Sequence, residues 1–414
     1  MRLVIGAYVG TLAALVIFVT AGVGVVVHDT GPANAIQADA DAHSFNIFTW
    51  ELRHFPEKWL YRIGNFFRDN GKGPDDQVLQ RYFNLTTEEA RLQDRDPNSP
   101  DLPKMEQERA WLENTVEDII DGRVTAILND QGLTMGPPPF TDMNLVFPPV
   151  DFEFDEPPRV LVISPRDNIE IQHEYLLSPG INLDTVQQIE ADAEKDGKTS
   201  ALVVQTGGFS TYPSVVPNLD SYDDLIQVVA HEWTHAFLSF YPLGFDYYGS
   251  PDLQTLNETA ATISGQELAR LYLQSYGKLD LSASAEPTPS PSPSPGLGVT
   301  PAPTPVPYDF DAQIQALRLQ VQDQLSQGKV DDAEALMNRK RDEFVQHGYY
   351  IRKLNQAYFA FHGSYATTSS SIDPIGPKMQ QLFKDAGSDG EFLRRVRGIT
   401  TQAELDQLLA AASG

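Results

Sequence analysis

The chain has 414 residues, with 30 Lys and Arg against 57 Asp and Glu, a formal charge of −27. Such a surface repels phosphate backbones, which argues against nucleic acid as a partner and favours a basic or neutral one. Cysteine is absent, so disulfides, thiolate metal sites and a cysteine nucleophile are excluded, while histidine and carboxylate chemistry remains.

Residues 3–27 read LVIGAYVGTLAALVIFVTAGVGVVV, 25 residues without a charge, enough to cross a hydrocarbon core of about 30 Å as a helix. Arg2 before this run and His28-Asp29 after it predict a single-pass anchor in the cell membrane. The N-terminus would be cytoplasmic and the rest extracytoplasmic, with the lipid bilayer as partner of the N-terminal helix. Ala33-Asn34-Ala35 has the small-x-small form of a cleavage site, so a secreted product cut near Ala35 is the alternative. From Phe45 to Phe67 aromatics interleave with Arg53, Lys58 and Arg62, as in short amphipathic helices packed on the domain or lying on the bilayer.

Residues 40–140 read as a helical N-terminal region. Between Pro103 and Leu133, Trp111, Leu112, Val116, Ile119, Ile120, Val124 and Ile127 recur at a helical period. Residues 150–286 open with an acidic run, Asp151 to Glu156, that reads as a solvated face. Arg159–Ser164 and Ser200–Gln205 are short apolar runs between Pro and Gly, hence buried strands. A helix capped by Asp220 or Ser221 runs from near Tyr222 until Pro242 stops it, and a second starts at Ser250-Pro251 and continues to about Tyr276. Residues 287–307 hold nine prolines in 21 residues, a composition that cannot offset ordering entropy and predicts a disordered linker. Residues 308–414 read as a C-terminal helical region closing the cleft, with breaks near Gly328 and Gly348.

The chemistry concentrates in His231-Glu232-Trp233-Thr234-His235, an H-E-x-x-H motif inside the first of those two helices. Residues i and i+4 share a helical face, so both imidazoles can reach one Zn²⁺ while Glu232 sits beside it to take a proton from the attacking water. A catalytic site needs a third protein ligand. Glu258 follows His235 by 23 positions, on a helix that a short Pro/Gly-rich loop can fold back antiparallel, and is the candidate.

His231-Glu232-x-x-His235 followed by Asn257-Glu258 resembles the gluzincin metallopeptidases, the group of thermolysin and the zinc aminopeptidases. The resemblance covers Ser200 to about Tyr276. It implies His231, His235 and Glu258 as zinc ligands, Glu232 as general base, and a peptide or protein substrate. The chain departs from it twice: Thr262 stands where thermolysin-like members carry an Asp that orients a ligand histidine, and the Gly-x-Met-Glu-Asn motif is absent, so aminopeptidase specificity is not carried over. The stretches Arg159–Asp167, Gln205–Pro213 and Leu354–Tyr358 are similar to membrane-anchored bacterial proteins described only as predicted aminopeptidases or uncharacterised zincins. Gly207-Gly208 serves either as part of a strand edge that pairs with extended peptide or as a plain turn. Asn355, Tyr358 and His362, at i, i+3 and i+7 of a C-terminal helix, are candidate oxyanion donors with Tyr358 first, or else satisfy an interhelical polar contact.

The expected fold is therefore α+β, a mainly helical, gluzincin-like zincin domain with a small mixed sheet plus one N-terminal transmembrane helix. The expected function is that of a membrane-anchored zinc metallopeptidase, and the alternative is a non-catalytic zincin-like surface module binding a peptide or protein partner. Deleting Pro287 to Pro307 is expected to move the melting temperature by no more than about 2 °C in calorimetry, since the tract buries nothing; a larger loss would show that it packs.

Overall fold

In chain order the helices and strands are α1 (Pro74–Arg95), α2 (Leu102–Asp130), β1 (Phe152–Phe154), β2 (Arg159–Pro165), β3 (His173–Leu177), α3 (Leu183–Ala193), β4 (Thr199–Gln205), β5 (Ser214–Val216), α4 (Tyr222–Leu238), α5 (Pro242–Phe245), α6 (Pro251–Tyr276), α7 (Phe310–Ser326), α8 (Val330–Gln346), α9 (Gln356–Ser364), α10 (Ile375–Ala386), α11 (Asp389–Val396) and α12 (Gln402–Ala412). This computed structural model describes residues 43–47, 49–50, 74–134, 145–245, 247, 249–281 and 308–412. The expected transmembrane segment 3–27, most of Phe45–Phe67 and the linker 287–307 lie outside the described residues. Among the described residues no helix is long and apolar enough to cross a membrane.

The chain is rich in helix and carries two small sheets, an α+β architecture. The expected single mixed sheet is instead an antiparallel sheet in the order β3-β2-β4 and a separate parallel pair, β1 with β5. The period-2 alternation of β2 divides its apolar side chains between two layers. Leu161 and Ile163 meet Val186, Ile189 and Ala193 of α3, while Val160 and Val162 meet Ala357 of α9. The acidic run 151–156 is not a solvated face: Phe152 and Phe154 of β1 are buried, Asp151 is 6% exposed, and the Asp155 carboxylate accepts the Trp50 indole N–H.

The two central helices begin where serine side chains can satisfy their first free N–H groups. Ser221 accepts from Asp224 N at the start of α4, and Ser250 accepts from Leu253 N at the start of α6, with Pro251 in the first turn. Leu225, Val229, Trp233 and Phe237 of α4 join Leu256, Ala260 and Ile263 of α6 in the largest apolar cluster. That cluster also takes in Tyr82 and Phe83 of α1, Val116 and Ile120 of α2, Met379 of α10 and Phe392 of α11. The N-terminal and C-terminal helices thus share one core with the central pair. Trp111, expected on the apolar face of α2, is 80% exposed. The hairpin of α7 and α8 has its own cluster, built on Ile314, Val321, Met337 and Phe344, and both its helices end at glycines with φ of +72° and +90°, Gly328 and Gly348.

At the α4–α6 crossing a buried polar chain runs from Thr234 to Ser264 (3.3 Å) and from Ser264 to Asp389 of α11 (2.9 Å). The Thr234 hydroxyl already donates to Ala230 O. Ser264 Oγ donates to the Asp389 carboxylate, a bond that favours its ionised form, and Thr234 Oγ1 lies within reach of both Ala230 O and Ser264 Oγ. Asp389 is fully buried, and burial pushes its carboxyl up from 3.8 to about 7, with the Ser264 hydrogen bond opposing and Glu267 reinforcing. The folded chain then holds a proton that the unfolded chain releases above 3.8, so this term favours folding at low pH and is lost as pH rises to about 7. Asp389→Asn is expected to remove a fall in stability of order 2–4 kcal/mol between pH 4 and 8. Denaturant unfolding at both pH values checks it; an unchanged pH dependence in the variant would show that the carboxyl is ionised throughout.

Candidate metal centre

α4 and α6 approach closely because α6 carries glycine at the point of contact. A Cβ on Gly265 would stand 3.1 Å from His231 Cβ, His231 N and Gln227 O, so a neighbour would have to give by a few tenths of an ångström. The i, i+4 spacing then turns both imidazoles toward α6, where Glu258 is 6% exposed. The two Nε2 atoms lie 3.0 Å apart, and Glu258 Oε2 is 3.6 Å from His231 Nε2 and 3.4 Å from His235 Nε2. These three residues form a group that could hold a metal ion. Tetrahedral bonds of about 2.0–2.1 Å place neighbouring ligand atoms about 3.3 Å apart, which is the spacing found here. Glu258 Oε2 is buried without a hydrogen-bond partner, an arrangement whose cost a cation would remove.

Hydrogen bonding assigns the tautomer of His235. Asn257 Nδ2 donates to Leu243 O at 3.0 Å, which leaves Asn257 Oδ1 facing His235 Nδ1 at 2.6 Å as an acceptor. His235 Nδ1 therefore carries the proton, and its Nε2 lone pair points into the cluster. Electrostatics agree with a site made for positive charge. Burial alone would lower His235, but Glu258 and Glu232 raise it to about 9. Burial alone would raise Glu258, but the two imidazoles hold it well below the usual carboxylate range.

Glu232 is 5% exposed, and among the described residues nothing hydrogen-bonds its carboxylate. Burial pushes it up, the two histidines oppose and Glu258 reinforces. Gly208 lies against it: a Cβ there would stand 2.4 Å from Glu232 Oε1 and 2.9 Å from its Cδ. The Gly207-Gly208 stretch is accordingly not a sheet edge. β4 ends at Gln205, Phe209 forms only an isolated bridge to Val215, and the glycine makes room for the carboxylate.

The other expected residues fall elsewhere. Asn355 caps α9, accepting from Tyr358 N at 2.9 Å and donating to Ala201 O at 2.9 Å, which ties its amide to the α9–β4 contact. Tyr358 and His362 lie ring to ring on α9 with centroids 4.2 Å apart and planes tilted by 45°, and α9 packs on β2, β4 and α6. Burial raises Tyr358 and lowers His362 to about 4. Among the described residues no hydrogen bond, ion pair or ring contact joins either to His231, His235 or Glu258. Thr262 makes no hydrogen bond to either imidazole; Asn257 takes that role.

Two residues near the cluster carry no signal in the sequence. Tyr247, in the loop between α5 and α6, donates its hydroxyl to Glu258 Oε1, and its ring lies 6.1 Å from that of His235. Gln254 Nε2 reaches Tyr247 Oη at 3.4 Å and Glu174 Oε2 of β3 at 3.2 Å. No family model, curated protein or solved structure matches the chain.

Asn257→Ala is expected to weaken divalent-metal affinity about 10–100-fold, while Thr262→Ala changes it less than about threefold, in titration against a chelator. Equal losses in the two variants would contradict the hydrogen-bond assignment.

Proposed function

We propose that the chain is a membrane-anchored zinc metallopeptidase with a gluzincin-like zincin domain, hydrolysing peptide bonds outside the cytoplasm. The convergence of His231, His235 and Glu258 beside the unengaged carboxylate of Glu232 carries this reading. Two imidazole nitrogens and one carboxylate oxygen are a donor set typical of catalytic zinc, which leaves one coordination position for solvent or substrate. When bound, zinc supplies Lewis acidity that lowers the pKa of a water to about 7 and polarises the scissile carbonyl.

Glu232 accepts the proton of the attacking water and passes it to the leaving amine, a task helped by a buried carboxyl with a raised pKa. Gly208 leaves room for its carboxylate. Tyr247 is a phenol in direct contact with the cluster, and its hydroxyl turns from Glu258 to the developing oxyanion, the role expected of Tyr358. Asn257 holds His235 in its ligand tautomer. Residues 3–27 tether the domain, and the charge of −27 suits basic or neutral substrates.

Purified wild type is expected to carry about one zinc and to cleave a peptide mixture, with the sites mapped by mass spectrometry. Glu232→Gln keeps the zinc and loses activity by about 10²–10⁴-fold, whereas Tyr247→Phe keeps the zinc and lowers kcat by about 10²-fold. Wild type that holds zinc and cleaves nothing would establish the binding module instead.

A further inference from the structure

A cavity of about 760 Å³ is lined by α7, by α10 and by the turns that join α9 to α10, and none of its lining residues belongs to the metal centre. Cavities of about 300–1,000 Å³ are the size that small ligands occupy. Short-range contacts fix its walls. Ser369 Oγ donates to Asp311 Oδ1 at 2.7 Å, Thr368 Oγ1 to His362 O at 2.9 Å, and Ile375 N to Asp373 Oδ1 at 2.8 Å. Ala366 N donates to Thr259 Oγ1 at 3.3 Å, which fastens one wall to α6. A Cβ on Gly376 would stand 2.1 Å from Ala366 O, so glycine there lets α10 close against the turn. A guest therefore meets groups already in place, at little ordering cost.

The lining selects by charge. Among the described residues no Lys, Arg or His lines the cavity, while Asp311 and Asp373 do, which turns away phosphate, sulfate and carboxylate groups. Arg318, the one cation of α7, donates instead to Gln322 Oε1 at 2.6 Å and stands over the Phe359 ring. The two carboxylates call only weakly for a cation. Asp311 lies in the first turn of α7 and Asp373 accepts from the first residue of α10, where helix N-termini already offset negative charge. The other polar groups are neutral. Gln315 and Gln380 have no hydrogen-bond partner among the described residues, and each amide both donates and accepts. Ser371 is 7% exposed; its Oγ accepts from Asp373 N at 3.2 Å, and among the described residues nothing takes its proton. A donor buried so deeply normally has a partner.

We propose that this cavity binds a neutral oligosaccharide. A sugar hydroxyl gives one hydrogen bond and can take two, which matches a lining that offers amide N–H groups, hydroxyls and carboxylate oxygens together. A protonated amine only donates, and would leave the amide and Ser371 donors unmatched. Ile372, Pro374 and Pro377 supply apolar surface against which the C–H face of a sugar ring can lie. The site shares no residue with the peptidase reading and stands or falls apart from it.

The experiment uses the full chain, in a detergent without a sugar head group, and a panel of trisaccharides of glucose, mannose, galactose and N-acetylglucosamine, with spermidine and inorganic phosphate alongside. Saturation-transfer NMR and calorimetric titration read the binding. At least one trisaccharide is expected to bind with Kd below about 1 mM. Gln315→Ala combined with Gln380→Ala is expected to weaken it about tenfold or more, and Ser371→Ala about threefold or more, at unchanged melting temperature. Trp111→Ala, which removes the exposed ring of α2, leaves the affinity as it was. Absence of binding across the panel overturns the proposal, as does binding that survives the double change or is lost with Trp111→Ala. Spermidine or phosphate binding that the double change abolishes, in place of sugar binding, would assign the cavity to an ion and overturn it equally.

Discussion

The whole arrangement depends on how closely α4 and α6 cross. One helix contributes two imidazoles and the other a carboxylate, and glycine at position 265 eases the close approach that gives the three candidate ligand atoms the spacing of tetrahedron corners. Larger residues there would part the helices and open the spacing between Glu258 Oε2 and the Nε2 atoms. The crossing is held from both sides. Apolar packing by Leu225, Val229 and Ile263 supplies most of the contact, and the chain Thr234–Ser264–Asp389 ties the same point to the C-terminal helices.

Around that crossing the polar groups divide into two kinds. Some are saturated and hold position: Asn257 spends both ends of its amide on Leu243 and His235, and Asn355 spends both on α9 and β4. Others keep an atom in reserve: the Glu232 carboxylate, Glu258 Oε2 and Glu174. Buried polar groups normally find partners. These three carboxylates are gathered around the same cluster, where a cation would complete Glu258 Oε2.

The central helices were legible because their signals are local. Ser221 and Ser250 cap them, Pro251 sits in a first turn, Pro242 follows a last one, and the H-E-x-x-H spacing needs only the 3.6-residue period. β2 and β4 were legible as apolar runs. Signals that depend on distant partners were not. β3 carries His173 and Glu174 with too little apolar alternation to read as a strand, and it exists because β2 offers it a ladder. Tyr247 comes to Glu258 through a loop of no regular pattern. Asn257 stood beside a quoted ligand, yet only the fold-back of α6 onto Leu243 gives its amide a direction. Trp111 has the period of a core residue, but the face of α2 it occupies finds no described neighbour to cover it.

The capped edge of β4 also bears on how copies of this protein meet one another. Sheets join edge to edge when unpaired backbone groups face each other, the usual start of aggregation. Here Glu190, Glu194, Arg352 and Asn355 have taken those groups on β4, and residues 43–45 cover the C-terminal end of β3. Crowded molecules therefore meet a β4 edge whose Ala201 and Val203 backbone groups already have partners, and an intermolecular ladder finds no ready start there.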